Sequence, residues 1–96
     1  MIKIVAENRV KEGNLEQFLD LARVIVEKTT TLDKGCISYA MCQDTADPLH
    51  CSIIEEWESQ EALDKHMKAA HFLEIVPKMS EFCESPAKAT LYKKLF

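Results

Sequence analysis

Residues 53–72, IIEEWESQEALDKHMKAAHF, decide how this chain folds. Their first part sets Ile53, Glu55 and Trp57 on one side of an extended backbone and Ile54 and Glu56 on the other, the two-residue period of a strand. Ser59 is suited to cap a helix, and Glu61 suits a positive helix N-terminus. The period then changes. Ala62, Leu63, Met67 and Ala70 share one side, while Glu61, Asp64, Lys65 and Lys68 share the other. A strand over His50–Glu58 therefore feeds a helix beginning after Ser59. His66 falls on the apolar side of that helix, and an inward-pointing ionisable ring needs a reason.

Upstream, Ile2, Ile4, Ala6, Asn8 and Val10 alternate with Lys3, Val5, Glu7 and Arg9, so residues 2–10 read as a first strand. Lys11-Glu12-Gly13 turns the chain. Asn14 is placed to cap a helix with Gln17 at the reciprocal position, and Leu15, Phe18, Leu19, Ala22, Ile25, Val26 and Thr29 carry that helix to about Thr31. Asp33-Lys34-Gly35 ends it. Cys36–Gln43 is the second strand, with Ile37, Tyr39 and Met41 expected on one face and Cys36, Ser38, Ala40 and Cys42 on the other.

Residues 44–48, DTADP, read as a loop. Downstream, the helical period restarts near His71 through Phe72, Ile75, Val76, Met79, Phe82 and Cys83, where Pro77 should break or kink it. Lys88–Phe96 closes the chain as a strand. The order β-α-β-β-α-(α)-β predicts an α+β, ferredoxin-like (βαββαβ) antiparallel sheet with helices on one face. Apolar residues on both sheet faces predict a homodimer through the uncovered face, a dimeric α/β barrel.

Ninety-six residues suit a single domain spanning 1–96 with a thin core. A net charge of −4 and twelve dispersed basic residues argue against nucleic acid, and no run approaches the roughly 20 apolar residues of a membrane span. The strand-like N-terminus does not resemble a cleavable signal, so a cytoplasmic location is expected. Cys36, Cys42, Cys51 and Cys83 contain no C-x-x-C pair and are expected to be buried, inert thiols. No metal site is expected. His66 and His71 are five apart, about 140° round a continuous helix, which is not the spacing of a zinc pair. Two glycines make neither a phosphate cradle nor a dinucleotide fingerprint, so no cofactor is expected and a substrate would have to supply its own reactivity.

Three residues join His66 as site candidates. Asn8 is a polar residue on an oily strand face, Trp57 ends the third strand, and Tyr39 offers a hydroxyl at mid-strand. Polar groups converging on apolar surface are what a small-molecule site looks like. A hydrogen-bonded core histidine, an asparagine mending a strand and a plain core tryptophan are the simpler readings of the same residues.

AENRVKEG at 6–13 and residues 53–72, in which Glu55, Trp57, Ser59, Ala62, Leu63 and His66 meet an E-x-W-x-S-x-x-A-L-x-x-H pattern with His71 following, resemble the antibiotic biosynthesis monooxygenase (ABM) family, closest to its quinol-monooxygenase group. The resemblance implies a cofactor-independent oxidoreductase. It would oxidise a small hydroxylated aromatic, quinol- or anthrone-like, with O2. His66 and Asn8 would be catalytic, and Trp57, Tyr39 and His71 substrate-binding. Haem-degrading relatives also carry an A-E-N-R segment matching Asn8. Their catalytic tryptophan falls at His66 here, however, and their axial histidine near Val76. A non-catalytic small-molecule-binding dimer is the remaining alternative.

Overall fold

In a computed structural model describing residues 1–96, the chain forms β1 (Ile2–Arg9), α1 (Leu15–Leu32), β2 (Cys36–Gln43), β3 (His50–Trp57), α2 (Gln60–Lys68), α3 (Ala70–Glu81) and β4 (Lys88–Lys93). The strands lie in the order β2-β3-β1-β4, every neighbouring pair antiparallel, which is the ferredoxin-like α+β arrangement. One parity of the strands is buried against the helices: Ile4 and Asn8 of β1, Tyr39 of β2, and Cys51, Ile53, Glu55 and Trp57 of β3. On α1 the burial of Phe18, Ala22, Ile25 and Thr29, at steps of four, three and four, gives the matching helical face.

The opposite sheet face stays open. Val5, Ile54, Ala40 and Thr90 meet on one rung, flanked by a rung where Lys3 pairs with Glu56 at 3.4 Å. Ile54 remains 45% exposed there.

The turn after α1 carries a constraint that matters for the site. Gly35 has φ +84°, and a Cβ on it would come within 2.5 Å of the Ala62 Cβ. Its carbonyl also accepts from Glu58 N–H at 2.9 Å. Only glycine lets this turn press against α2, which brings Asp33 beside the helix that carries His66.

Several local expectations are corrected. Asn14 sits at the start of α1 with φ −113° and ψ 11°, outside the extended region a capping side chain uses, and neither it nor Gln17 makes a cap bond. Ser59, by contrast, is extended (φ −157°, ψ 164°) and its Oγ accepts from Ala62 N–H at 3.1 Å. A register shift between Cys36 and Ser38 inserts Ile37 as an extra residue. Cys36 therefore joins Tyr39 on the covered face, and Ile37 is 46% exposed. Cys42 is exposed and Cys36 half-buried, so only Cys51 and Cys83 have the buried setting expected of all four.

Pro77 does not end α3. It lies on the exposed side of the helix, and the carbonyl it deprives of a partner belongs to exposed Leu73, where water can serve it. The break falls earlier, at Ala69, whose ψ of 146° separates α2 from α3. The strands also end sooner than their patterns: Val10 leaves β1 to bridge Cys83, β3 stops at Trp57, and β4 stops at Lys93.

Candidate functional site

Between the helices and the covered sheet face lies a cavity of about 320 Å³, walled mostly by apolar side chains. Ile4, Ala6 and Asn8 of β1, Ile53 and Glu55 of β3, and Tyr39 of β2 form its floor. Leu63, His66 and Met67 of α2 with Phe72, Val76 and Met79 of α3 form its roof. Exposed Met67 and Leu91, beside Pro86 and Ala87, mark its mouth.

Its polar groups stand at two ends. Tyr39, Glu55, Ile4 and Leu91 share one rung across the four strands. Asn8 lies four residues further along β1 from Ile4, a separation of roughly 13 Å at the rise of a strand. The Asn8 amide nitrogen donates to the Ala6 and Cys51 carbonyls, both at 3.2 Å, which fixes the amide's orientation. Its oxygen has no protein partner and opens on the cavity, so the free atom of Asn8 is an acceptor.

His66 stands at the other end among aromatic rings. Its centroid lies 4.6 Å from Trp57, 5.0 Å from Phe72 and 5.4 Å from Tyr39. Its Nδ1 is 2.6 Å from Asp33 Oδ2, and His71 Nε2 is 2.9 Å from the same oxygen. A carboxylate only accepts, so each of those nitrogens carries its proton and donates. Nε2 of His66 is then the bare, basic nitrogen, and it is buried without a hydrogen-bond partner. Burial pushes the His66 pKa below 6.5 despite the Asp33 hydrogen bond, so the ring is neutral near pH 7.

This convergence overturns the angular argument made for one continuous helix. The break at Ala69 places His66 and His71 on separate helices, with their rings 6.1 Å apart. Asp33, His66 and His71 each offer a ligand atom within 4.8 Å of the others, the spacing of a cation site. As they stand, the three groups satisfy one another by hydrogen bonds. A metal on Nδ1 would move the remaining ring proton to Nε2 and abolish its basicity.

Glu55 was not among the expected site residues, although it shares a strand face with Trp57. It is 6% exposed, Oε1 accepts from Trp57 Nε1 at 2.8 Å, and the other oxygen opens on the cavity. Burial raises its pKa to about 7. The Tyr39 phenol is pushed upward chiefly by burial and then by Glu55, so it stays protonated as a donor. The cavity thus brings together Asn8, Tyr39 and His66 from the expected set. Trp57 and His71 stand behind its wall, the first holding Glu55 and the second sharing Asp33 with His66.

His66, Tyr39, Glu55 and Asn8 thus line one apolar hollow, the general form of a small-molecule site. The profile of the family described as antibiotic biosynthesis monooxygenase matches residues 1–78, and the chain belongs to that family. It is similar to a conserved protein from Methanosarcina mazei Go1, at 33% identity and TM-score 0.94 over 98% of this chain and 92% of that one. A solved antibiotic biosynthesis monooxygenase is 32% identical, with TM-score 0.92 over 99% of both chains. "Putative monooxygenase YcnE" of Bacillus subtilis (strain 168) is 27% identical over 86 residues, 90% of each chain. These likenesses support a monooxygenase-like function. No helix is long and apolar enough to cross a membrane.

Proposed function

We propose that this chain works as a single-domain monooxygenase that oxidises a small hydroxylated aromatic, quinol- or anthrone-like, with O2 in the cavity beneath α2 and α3. The observation that carries the reading is the apolar cavity lined by His66, a histidine whose bare Nε2 is buried without a hydrogen-bond partner. An unpaired buried polar atom costs about 1–3 kcal/mol, and a guest hydroxyl that reaches Nε2 as the rings packed round it shift would relieve it. His66 takes the substrate's acidic proton, and Asp33 holds the imidazole in the tautomer that can do so. The electron-rich anion then gives an electron to O2, and radical recombination forms a carbon–oxygen bond. Overall, SH2 + O2 becomes SO + H2O, with electrons supplied by the substrate. Tyr39 donates to the substrate oxygen. Asn8 accepts from a second hydroxyl at the far end.

The reading includes a homodimer through the open sheet face, where the Val5–Ile54–Ala40 rung supplies apolar surface. Haem as the guest has less support. A volume near 320 Å³ is at the small end for ligand pockets and suits one to three fused rings better than a tetrapyrrole. Oxygen uptake with menadiol and anthrone, against protein-free controls, tests the proposal. Uptake above autoxidation, with one oxygen atom from ¹⁸O2 in the product, is the expected result. Tight binding of both without turnover would make the chain a binding module.

A further inference from the structure

We propose that Glu55 is the second acid–base group of this cavity, a carboxylic acid that protonates the peroxide formed when O2 adds to the bound substrate. The inference rests on the monooxygenase reading. It starts from what Glu55 lacks: no lysine, arginine or histidine pairs with it, although it is buried. A carboxylate set in apolar surroundings without a cation relieves its desolvation by taking up a proton. The groups facing it fit that state. Tyr39 from β2 and His66 from α2 are the titratable neighbours on the cavity wall, and the Cys36 thiol of β2, raised by burial and also by Glu55, is a further one behind it, while β1 and β4 contribute Ile4 and Leu91 to its rung and α3 contributes apolar Val76 and Met79.

Trp57 Nε1 holds Oε1 at 2.8 Å, leaving the second oxygen toward the cavity. A glutamine would serve the indole equally well, so satisfying Trp57 does not explain an acid here. Its raised pKa of about 7, against the lowered value of His66, splits acid and base roles between two groups at one end of the cavity.

The steps balance. His66 Nε2 takes the enol or phenol proton. The substrate anion passes one electron to O2, and the radical and superoxide join through a new C–O bond. The peroxide anion takes the Glu55 proton to give a hydroperoxide. Glu55, now a carboxylate, removes the hydrogen on the oxygenated carbon as a proton. The electron pair left behind forms C=O while the O–O bond breaks, and the departing hydroxide takes the proton from His66. The products are the carbonyl compound and water. The substrate must therefore carry a hydrogen on the carbon that is oxygenated.

Without the acid, the peroxide anion reverts or escapes. Glu55→Gln keeps the shape and the Trp57 bond, so the wild type and this variant are compared with anthrone as probe. The expected result is a kcat lower by about 30–100-fold with KM changed less than about 3-fold. Consumed oxygen should also appear as superoxide or hydrogen peroxide, and the alkaline fall in rate near pH 7 should vanish. Infrared difference spectra add a readout independent of turnover: a protonated-carboxyl stretch that titrates near neutrality in the wild type and is missing in the variant. Unchanged coupling and pH profile in Glu55→Gln, or no such band in the wild type, would overturn the proposal. Absence of turnover by the wild type would instead sink the monooxygenase reading, and this proposal with it.

Discussion

Two of the three histidines that meet carboxylates, His50 and His66, have pKa values shifted in opposite directions. His50, at the start of β3, lies 3.0 Å from Asp44 and 3.2 Å from Glu7 in the open, and hydrogen bonds to Asp44 and then Glu7 raise its pKa above 6.5. His66 lies closer to its partner, 2.6 Å from Asp33, yet its pKa falls below 6.5 because burial outweighs that bond. Desolvating a charged ring decides the sign once water is excluded. The surface ring is a clasp across the start of β3 that gains charge readily. The buried ring is a neutral base whose carboxylate orients it without charging it.

The widest separation between the two should appear in catalysis. Replacing His66 with alanine is expected to lower oxygen uptake with a quinol by about 10²–10⁴-fold, the span of general-base catalysis. His50→Gln should leave it unchanged. Equal effects would remove the distinction.

Stability comes next. Asp33→Ala strips the shared acceptor from two buried imidazoles and should cost about 2–4 kcal/mol in denaturant unfolding. Asp44→Ala, at the exposed clasp, should give no measurable change in midpoint.

A smaller effect sharpens the role of burial, and its sign follows from proton binding. Glu55 has a folded pKa raised from 4.5 to about 7, so it favours folding below 4.5 and loses that contribution as pH rises to 7. His66, lowered from 6.5, contributes fully above 6.5 and loses its share as pH falls through the folded value. Glu55→Gln should therefore raise stability at pH 8 relative to pH 5, by up to about 3 kcal/mol from a shift of this size. A pH-independent difference would mean that Glu55 is not desolvated. The finest test is proton NMR titration of the two rings, in which the His50 midpoint lies above 6.5 and the His66 midpoint below it.

Much of the architecture was legible because it rests on local rules. The alternation in residues 53–57, the Ser59 cap and the glycine after α1 are short-range features, and each stands where its pattern put it. The misplacements were also local in kind. Asn14 has the right side chain on the wrong backbone angles, and one inserted residue at Ile37 reversed the expected faces at the start of β2. The restart of periodicity near His71 was the visible trace of the break at Ala69, but no glycine or proline marks it.

The candidate site was legible in part. His66, Tyr39 and Asn8 advertised themselves as polar residues at apolar positions. Asp33 did not, because an aspartate after a helix reads as turn chemistry, and only the press of Gly35 against Ala62 reveals its partners. Glu55 carried a weak signal, an acid on the inward parity of β3.

The sequence by itself determined the order of elements, the helix faces, the strand faces except at the start of β2, and the presence of ionisable groups on buried sides, since periodicity and turn preference act between near neighbours. Tertiary structure alone decided that the break between α2 and α3 falls at Ala69, that two imidazoles share one Asp33 carboxylate oxygen, and that a cavity separates Asn8 from His66. Those outcomes depend on how helices settle on a sheet. Packing, desolvation and hydrogen bonding across more than thirty residues leave no periodic trace in the chain that makes them.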